Sequence, residues 1–124
     1  MKNQDKILLA EDDKFISRAY KDGLTRAGFN VILAMDGAEA IEKIKTEKPA
    51  LLLLDLIMPV KNGFDVLEEL QDKKYDKIPV VVLSNLGQDS DIQRAKEFKV
   101  SDYLIKSNVT LKEVTDKVKS ILNK

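Results

Sequence analysis

Charged and hydroxyl side chains follow the short apolar segments of this sequence, at the point where each segment ends. Glu11 and Asp12 follow ILLA, Asp55 follows four leucines, Ser84 follows VVVL and Lys106 follows YLI. Carboxylates brought together repel by about 4 kcal/mol at about 4 Å and a dielectric of about 20, so they need neutralising. Oxygen ligands without His or Cys favour Mg²⁺, Mn²⁺ or Ca²⁺. A lysine and a hydroxyl beside such an ion suit a phosphoryl group.

Two hydrophobic periods alternate along the chain and predict the elements that position these groups. Apolar residues at helical spacing predict helices within residues 16–27, 38–45, 64–70, 90–99 and 111–122. Each predicted helix follows a short apolar segment that is predicted as a strand, which gives five β-then-α units. This alternation predicts an α/β fold, a doubly wound parallel sheet with helices on both faces. Ligands bind such sheets beyond the carboxyl ends of the strands. The predicted strands are Ile7–Ala10, Val31–Ala34, Leu51–Leu54, Val80–Leu83 and Tyr103–Ile105.

Capping side chains predict where four of the helices begin. Asp36, Ser90 and Thr110 each stand three residues before a Glu or Gln. Asp13 is expected to cap the first helix, as acidic residues before helices commonly do. The segment 90–99 is the least amphipathic, which predicts a surface helix with few anchoring contacts and makes it a candidate for movement or binding.

The composition argues against several classes of protein. The 124 residues suit one domain, and 21 basic residues balance 21 acidic ones, where a nucleic-acid binder normally has a basic excess. No Cys or His is present, which removes thiolate sites and the commonest metal ligand and general base. No apolar run is long enough for a signal peptide or a membrane span, so we expect a cytoplasmic protein without membrane contact. The nucleotide-binding patterns G-x-x-x-x-G-K-[ST] and G-x-G-x-x-G do not occur.

Four motifs in one order resemble the receiver domain of two-component response regulators, the stand-alone chemotaxis receivers in particular. They are ILLAEDD, LLLLDLIMPVKNGFDVL, PVVVLSN and YLIKS, and the resemblance covers nearly the whole chain. It implies a flavodoxin-like (βα)5 fold with strand order 2-1-3-4-5. It also implies a single receiver domain over residues 1–124 without an output domain.

The resemblance implies a phosphoacceptor rather than an enzyme with a separate substrate. Asp55 would receive a phosphoryl group from the phosphohistidine of a sensor histidine kinase or a histidine phosphotransfer protein. Asp12, Asp55 and the backbone carbonyl of Ile57 would hold Mg²⁺, for which Mn²⁺ or Ca²⁺ could substitute, while Glu11 would act through a metal-bound water. Lys106 would pair with the phosphoryl oxygens.

The resemblance also implies a conformational switch. Ser84 would hydrogen-bond the phosphoryl group, and Tyr103 would swing inward as Ser84 moves. The surface of the fourth helix, fifth strand and fifth helix would then change for a target protein that the sequence does not name. We expect no direct nucleic-acid contact and a monomer or weak dimer.

Two residues depart from the family pattern. Ser107 stands where the family has a proline, commonly after a cis bond that a non-proline residue adopts at a cost of about 3 kcal/mol. We therefore expect a trans or strained loop after Lys106. Asn85 replaces a small residue and is expected to narrow access to the phosphoryl group or to hydrogen-bond it. Ile57 and Leu86 are apolar and cannot orient an attacking water, which predicts slow autodephosphorylation.

Two other functions remain open from the sequence. A Mg²⁺-dependent aspartyl-phosphate phosphohydrolase would share the acidic residues, but it usually needs a second acid at the position that Ile57 occupies. A binding module that is never phosphorylated would leave Asp55 a turn residue, Lys106 solvated and Tyr103 a core aromatic.

Overall fold

Strands and helices alternate along the whole described chain, as the two hydrophobic periods predict. The computed structural model describes residues 5–123, so residues 1–4 and 124 of the predicted domain lie outside the described residues. Single 3₁₀ turns at Lys73–Tyr75 and Lys106–Asn108 were not predicted. The elements in chain order are β1 (Lys6–Ala10), α1 (Lys14–Arg26), β2 (Asn30–Ala34), α2 (Gly37–Glu47), β3 (Leu51–Leu54), α3 (Gly63–Glu69), β4 (Val80–Ser84), α4 (Asp89–Lys96), β5 (Asp102–Ile105) and α5 (Leu111–Leu122).

All five strands form one parallel sheet in the order β2-β1-β3-β4-β5, which confirms the predicted fold. The register aligns the carboxyl ends of the central strands. Ala10 pairs with Leu54, Leu54 with Val82, and Ser84 with Ile105. The residues that follow β1, β3, β4 and β5 therefore meet at one edge of the sheet.

The four leucines of β3 have no exposed surface, because helices cover both faces of this central strand. Leu52 and Leu54 pack into the layer that contains residues of α2, α3 and α4. Leu51 and Leu53 pack into the opposite layer, with residues of α1 and α5. This two-sided burial explains why the run is continuously apolar rather than alternating.

Three of the four predicted caps are confirmed. The Asp13 carboxylate accepts from the N–H groups of Phe15 and Ile16, and Asp36 accepts from Glu39 at 2.7 Å. Thr110 and Glu113 form a reciprocal capping box. The prediction for Ser90 is wrong. Helix α4 begins at Asp89, and the side chain of the preceding Gln88 makes no capping bond. The negative charges of Asp89 and Asp91 instead stabilise the first turn through the helix dipole.

Helix α4 buries Ala95 and otherwise lies on the surface, which confirms the expectation for the least amphipathic segment. The guanidinium of Arg94 lies 4.0 Å from the centre of the Phe64 ring, so a cation–π contact joins α4 to α3. Within residues 5–123, no helix combines the length and the apolar character needed to cross a bilayer.

The burial of β3 leads to a stability prediction. We expect Leu53→Ala to lower the free energy of unfolding by about 2–5 kcal/mol, because it leaves a cavity in a fully buried strand. The matched control is Phe15→Ala, since that side chain is 88% exposed and its loss should cost less than about 0.5 kcal/mol. Urea unfolding measures both values, and equal losses for the two variants would contradict the packing described.

Candidate functional site

A cleft of about 330 Å³ opens at the carboxyl edge of the sheet, where β1, β3, β4 and β5 end. Asp13, Ile16 and Asn85 line it, and Ser84 and Tyr103 do not. The rest of the lining is formed by five of the predicted site residues. They are Glu11, Asp12, Asp55, Ile57 and Lys106. The register of the sheet thus brings together groups that lie up to 95 positions apart in the chain.

The carboxylate of Asp55 is buried, and both of its oxygens accept hydrogen bonds. Its Oδ1 accepts from the Ser84 hydroxyl at 2.8 Å and from the Ile57 N–H at 3.1 Å, and its Oδ2 accepts from Lys106 Nζ at 2.9 Å. A buried ionised carboxylate is tolerated only with such partners. The leucine run can therefore end on an acidic residue because the ends of β4 and β5 supply a hydroxyl and an ammonium.

Gly63 allows α3 to begin directly against the backbone of Asp55. A Cβ atom at this position would lie 2.6 Å from the Asp55 carbonyl oxygen, which is closer than any side chain can approach. The Gly63 N–H donates to the Leu56 carbonyl at 3.0 Å and closes the turn. This glycine thus fixes the backbone on the far side of the carboxylate.

Lys106 joins two carboxylates at the base of the cleft. Its ammonium pairs with Asp55 and with Oε1 of Glu11, and the side chain as a whole is 11% exposed. Burial would lower the pKa of Lys106, but the hydrogen bonds and charges of Glu11 and Asp55 outweigh it and raise the pKa. The lysine therefore stays cationic over the physiological pH range.

Glu11 lies beneath the cleft and is almost fully buried. Its Oε2 accepts from the Asp13 N–H at 3.0 Å, while its other oxygen accepts from Lys106. Burial raises the pKa of Glu11, and the negative charge of Asp55 adds to the increase, although the bonds from Lys106 and Asp13 oppose it. Burial is thus the main reason for the raised pKa, while the single ammonium of Lys106 faces three carboxylates.

The acidic groups suit a hard divalent cation. Glu11, Asp12 and Asp55 each offer a carboxylate oxygen, and these oxygens lie within 4.8 Å of one another. Asp12 is exposed at the mouth of the cleft, while the other two are buried. Carboxylate oxygens without nitrogen or sulfur ligands match the preference of Mg²⁺, Mn²⁺ and Ca²⁺.

Ser84 and Tyr103 meet at the backbone of Leu86. The Leu86 N–H donates to Ser84 Oγ at 3.2 Å, and the Tyr103 hydroxyl donates to the Leu86 carbonyl. Burial raises the pKa of Tyr103, with a further increase from the charges of Asp91 and Asp55. The structure therefore places the two predicted switch residues on one short path, although sequence reasoning did not identify Leu86 as the link.

Asn85 and Ser107 are also in contact, which sequence reasoning missed. The Lys106–Ser107 peptide bond is trans, and the Ser107 N–H donates to Oδ1 of Asn85 at 2.8 Å. From the sequence alone, each residue is a separate departure from the family pattern. Asn85 directly follows β4, and Ser107 is the second residue after the neighbouring strand β5, which is the available signal that they meet.

Comparisons with known proteins agree with this architecture. The family model described as response regulator receiver domain matches residues 7–119. The crystal structure of the phosphorylated cyanobacterial phytochrome response regulator RcpA is 34% identical, covers 96% of this chain and 91% of its own, and superposes with a TM-score of 0.82. The Mn²⁺-bound form of response regulator Rcp1 is 35% identical, with coverages of 94% and 91% and a TM-score of 0.80.

A curated relative is similar over part of its length. The alkaline phosphatase synthesis transcriptional regulatory protein PhoP of Bacillus subtilis is 34% identical over 119 residues, which are 96% of this chain and 49% of PhoP. The chain spans about half the length of the curated relatives that it matches. Sequence, fold and site thus lead to one conclusion: the chain belongs to the receiver domain family of two-component response regulators, and its role lies in signal transduction.

Proposed function

We propose that the domain is a phosphoacceptor switch in which Asp55 receives a phosphoryl group from a kinase or phosphotransfer phosphohistidine. The observation that carries the proposal is the buried Asp55 carboxylate, held at the floor of a cleft by the Ser84 hydroxyl and the Lys106 ammonium. RcpA, which is 34% identical, is known in a phosphorylated form, and this supports the assignment.

The transfer replaces one bond to phosphorus by another. An Asp55 oxygen forms the new bond, the P–N bond of the phosphohistidine breaks, and the electron pair leaves with the imidazole. Lys106 and Ser84 donate to the carboxylate before the reaction, so they are placed to donate to the phosphoryl oxygens after it. This pair of donors would stabilise the charge that develops on the transferred group.

Glu11, Asp12 and Asp55, with the backbone carbonyl of Ile57, would hold Mg²⁺, which Mn²⁺ or Ca²⁺ could replace. When bound, the ion supplies neutralisation of negative charge on the phosphoryl oxygens. The spacing of the three carboxylate oxygens fits this use. The Mn²⁺-bound form of Rcp1, at 35% identity, supports a divalent cation in the site.

Phosphorylation would change the surface through Ser84 and Leu86. The Ser84 hydroxyl must leave Asp55 to reach a phosphoryl oxygen, and the Leu86 N–H is bonded to that hydroxyl. The Leu86 carbonyl holds the Tyr103 hydroxyl, so the side chain of Tyr103 would respond. The altered surface of α4, β5 and α5 would then be recognised by a target protein.

The balanced charge favours a protein target over direct nucleic-acid contact by this domain. A monomer or weak dimer in the cytoplasm fits the absence of cysteine and the surface switch.

Neither alternative function gains support from the site. The position for a phosphohydrolase acid carries the apolar Ile57 side chain, which is 58% exposed at the cleft. A binding module that is never phosphorylated predicts a solvated Lys106, whereas the lysine is paired with Asp55 and Glu11.

The assignment of Asp55 can be tested with a small phosphodonor. After treatment with acetyl phosphate and Mg²⁺, intact-mass measurement should show one added phosphoryl group on the wild type and none on Asp55→Asn. Asp36→Asn is the matched control, because Asp36 lies after β2 and caps α2, a role that Asn fills equally well. A wild type that gains no mass, or an Asp55→Asn variant that does, would refute the proposal.

The lifetime of the phosphorylated form provides a second test. We expect it to persist for minutes or longer after the phosphodonor is removed, because the exposed Ile57 cannot orient a water molecule. Ile57→Asn should accelerate the loss of the phosphoryl group by about tenfold. This is less than the acceleration of about 10²–10⁴ that a well-placed general base provides.

The control for this measurement is Val60→Asn, in the same loop but outside the cleft lining. Val60 has φ of 66°, a conformation that Asn adopts more readily than Val, so the variant should fold. It should lose the phosphoryl group at the wild-type rate. Loss from the wild type within seconds would disprove the prediction.

A further inference from the structure

The hydrogen bond between Asn85 and Ser107 joins the residue that follows Ser84 to the residue that follows Lys106. We infer that Asn85 is a positioning residue for Lys106, acting through the backbone N–H of Ser107. The inference rests on the proposed function, because it assigns a further residue to the phosphotransfer site. It concerns a contact of 2.8 Å between residues 22 positions apart.

Hydrogen bonds and covalent neighbours close a ring around the Asp55 carboxylate. Ser84 donates to Oδ1 of Asp55 at 2.8 Å, and Lys106 donates to Oδ2 at 2.9 Å. The chain continues from Ser84 to Asn85 and from Lys106 to Ser107. The bond from the Ser107 N–H to Asn85 closes the ring. The positions of the hydroxyl and the ammonium are therefore linked a second time, outside the carboxylate itself.

Lys106 lies just beyond the last paired residue of β5, in a short turn. It begins a single 3₁₀ turn of 3 residues, and Ile105, which precedes the turn, makes no side-chain capping bond. Ser107 and Asn108 are both exposed. Short turns with exposed backbone have low local stability, and the lysine ammonium ends a flexible four-carbon chain. A fixed backbone at Ser107 restricts where that ammonium can lie, and small misplacements of a positioning group slow a reaction strongly.

The contact depends on both residue types. Ser107 supplies an N–H that a proline would lack, and Asn85 supplies a carbonyl oxygen on a side chain long enough to reach it. Asn85 also lines the cleft, so the rival explanation is that it touches the phosphoryl group or the phosphodonor directly. The two explanations differ in whether Asn85 requires Lys106 for its effect.

The first test compares Asn85→Ala with the wild type. We expect the rate of phosphorylation by acetyl phosphate and Mg²⁺, measured by intact mass, to fall by about two- to fivefold. A decrease of this size corresponds to the loss of one exposed hydrogen bond. The Ser107 amide should also exchange its hydrogen faster, as measured by NMR. Gln88→Ala is the control, because it removes an exposed side-chain amide from the same loop, and this amide makes no capping bond. Neither the phosphorylation rate nor the exchange of the Ser107 amide should change.

The second test removes the lysine ammonium. In a Lys106→Met background at high phosphodonor concentration, the further substitution Asn85→Ala should leave the residual rate unchanged if Asn85 acts through Lys106. Slowing by the same factor in both backgrounds would overturn the inference in favour of direct contact. An unchanged rate or unchanged Ser107 exchange in Asn85→Ala alone would also overturn it. A wild type that is never phosphorylated refutes the proposed function itself, whereas a normal wild type with an unaffected Asn85→Ala refutes the positioning role alone.

Discussion

The three hydrogen bonds to the Asp55 carboxylate are the interaction on which the rest of the site depends. A carboxylate buried in a central strand is strongly disfavoured unless donors replace the water that it loses. Ser84, Lys106 and the Ile57 N–H provide that replacement. Removing one partner of such a buried ion pair typically costs about 3–5 kcal/mol, so the loss of Lys106 alone would leave a buried charge and destabilise the fold.

The parallel sheet imposes the geometry that makes these contacts available. Strands β1 and β4 flank β3, and β5 lies next to β4, so the residues at the ends of these four strands lie around the same cleft. Glu11 and Asp12 therefore arrive beside Asp55 from one side, and Ser84 and Lys106 from the other. The acidic groups exceed what one ammonium compensates, and this excess is the physical reason for expecting a cation. Fold and chemistry are thus set by one arrangement of strand ends.

Much of the fold and of the site could be predicted, because the relevant signals are local. The leucine run of β3 and the polar residues at the strand ends are features of short segments. They are sufficient to predict Glu11, Asp12, Asp55, Ser84 and Lys106 as candidate site residues. The start of α4 was missed because a local pattern at Ser90 competes with the favourable charges of Asp89 and Asp91. The Asn85–Ser107 bond and the Leu86 link between Ser84 and Tyr103 were missed because they join distant or backbone groups. Periodicity and capping rules carry no information about such pairs.

We propose that the carboxylates that follow β1 and β3 form one divalent cation site beside the Lys106 ammonium. A crystal structure of the wild-type protein grown with Mn²⁺, read by the anomalous signal of the metal, tests it most directly. We predict one strong peak within coordination distance of the Asp12 and Asp55 carboxylates and the Ile57 carbonyl oxygen, with Lys106 still against Asp55. A saturating Mn²⁺ concentration that yields no peak in this cleft, or a peak only elsewhere on the molecule, would contradict the account.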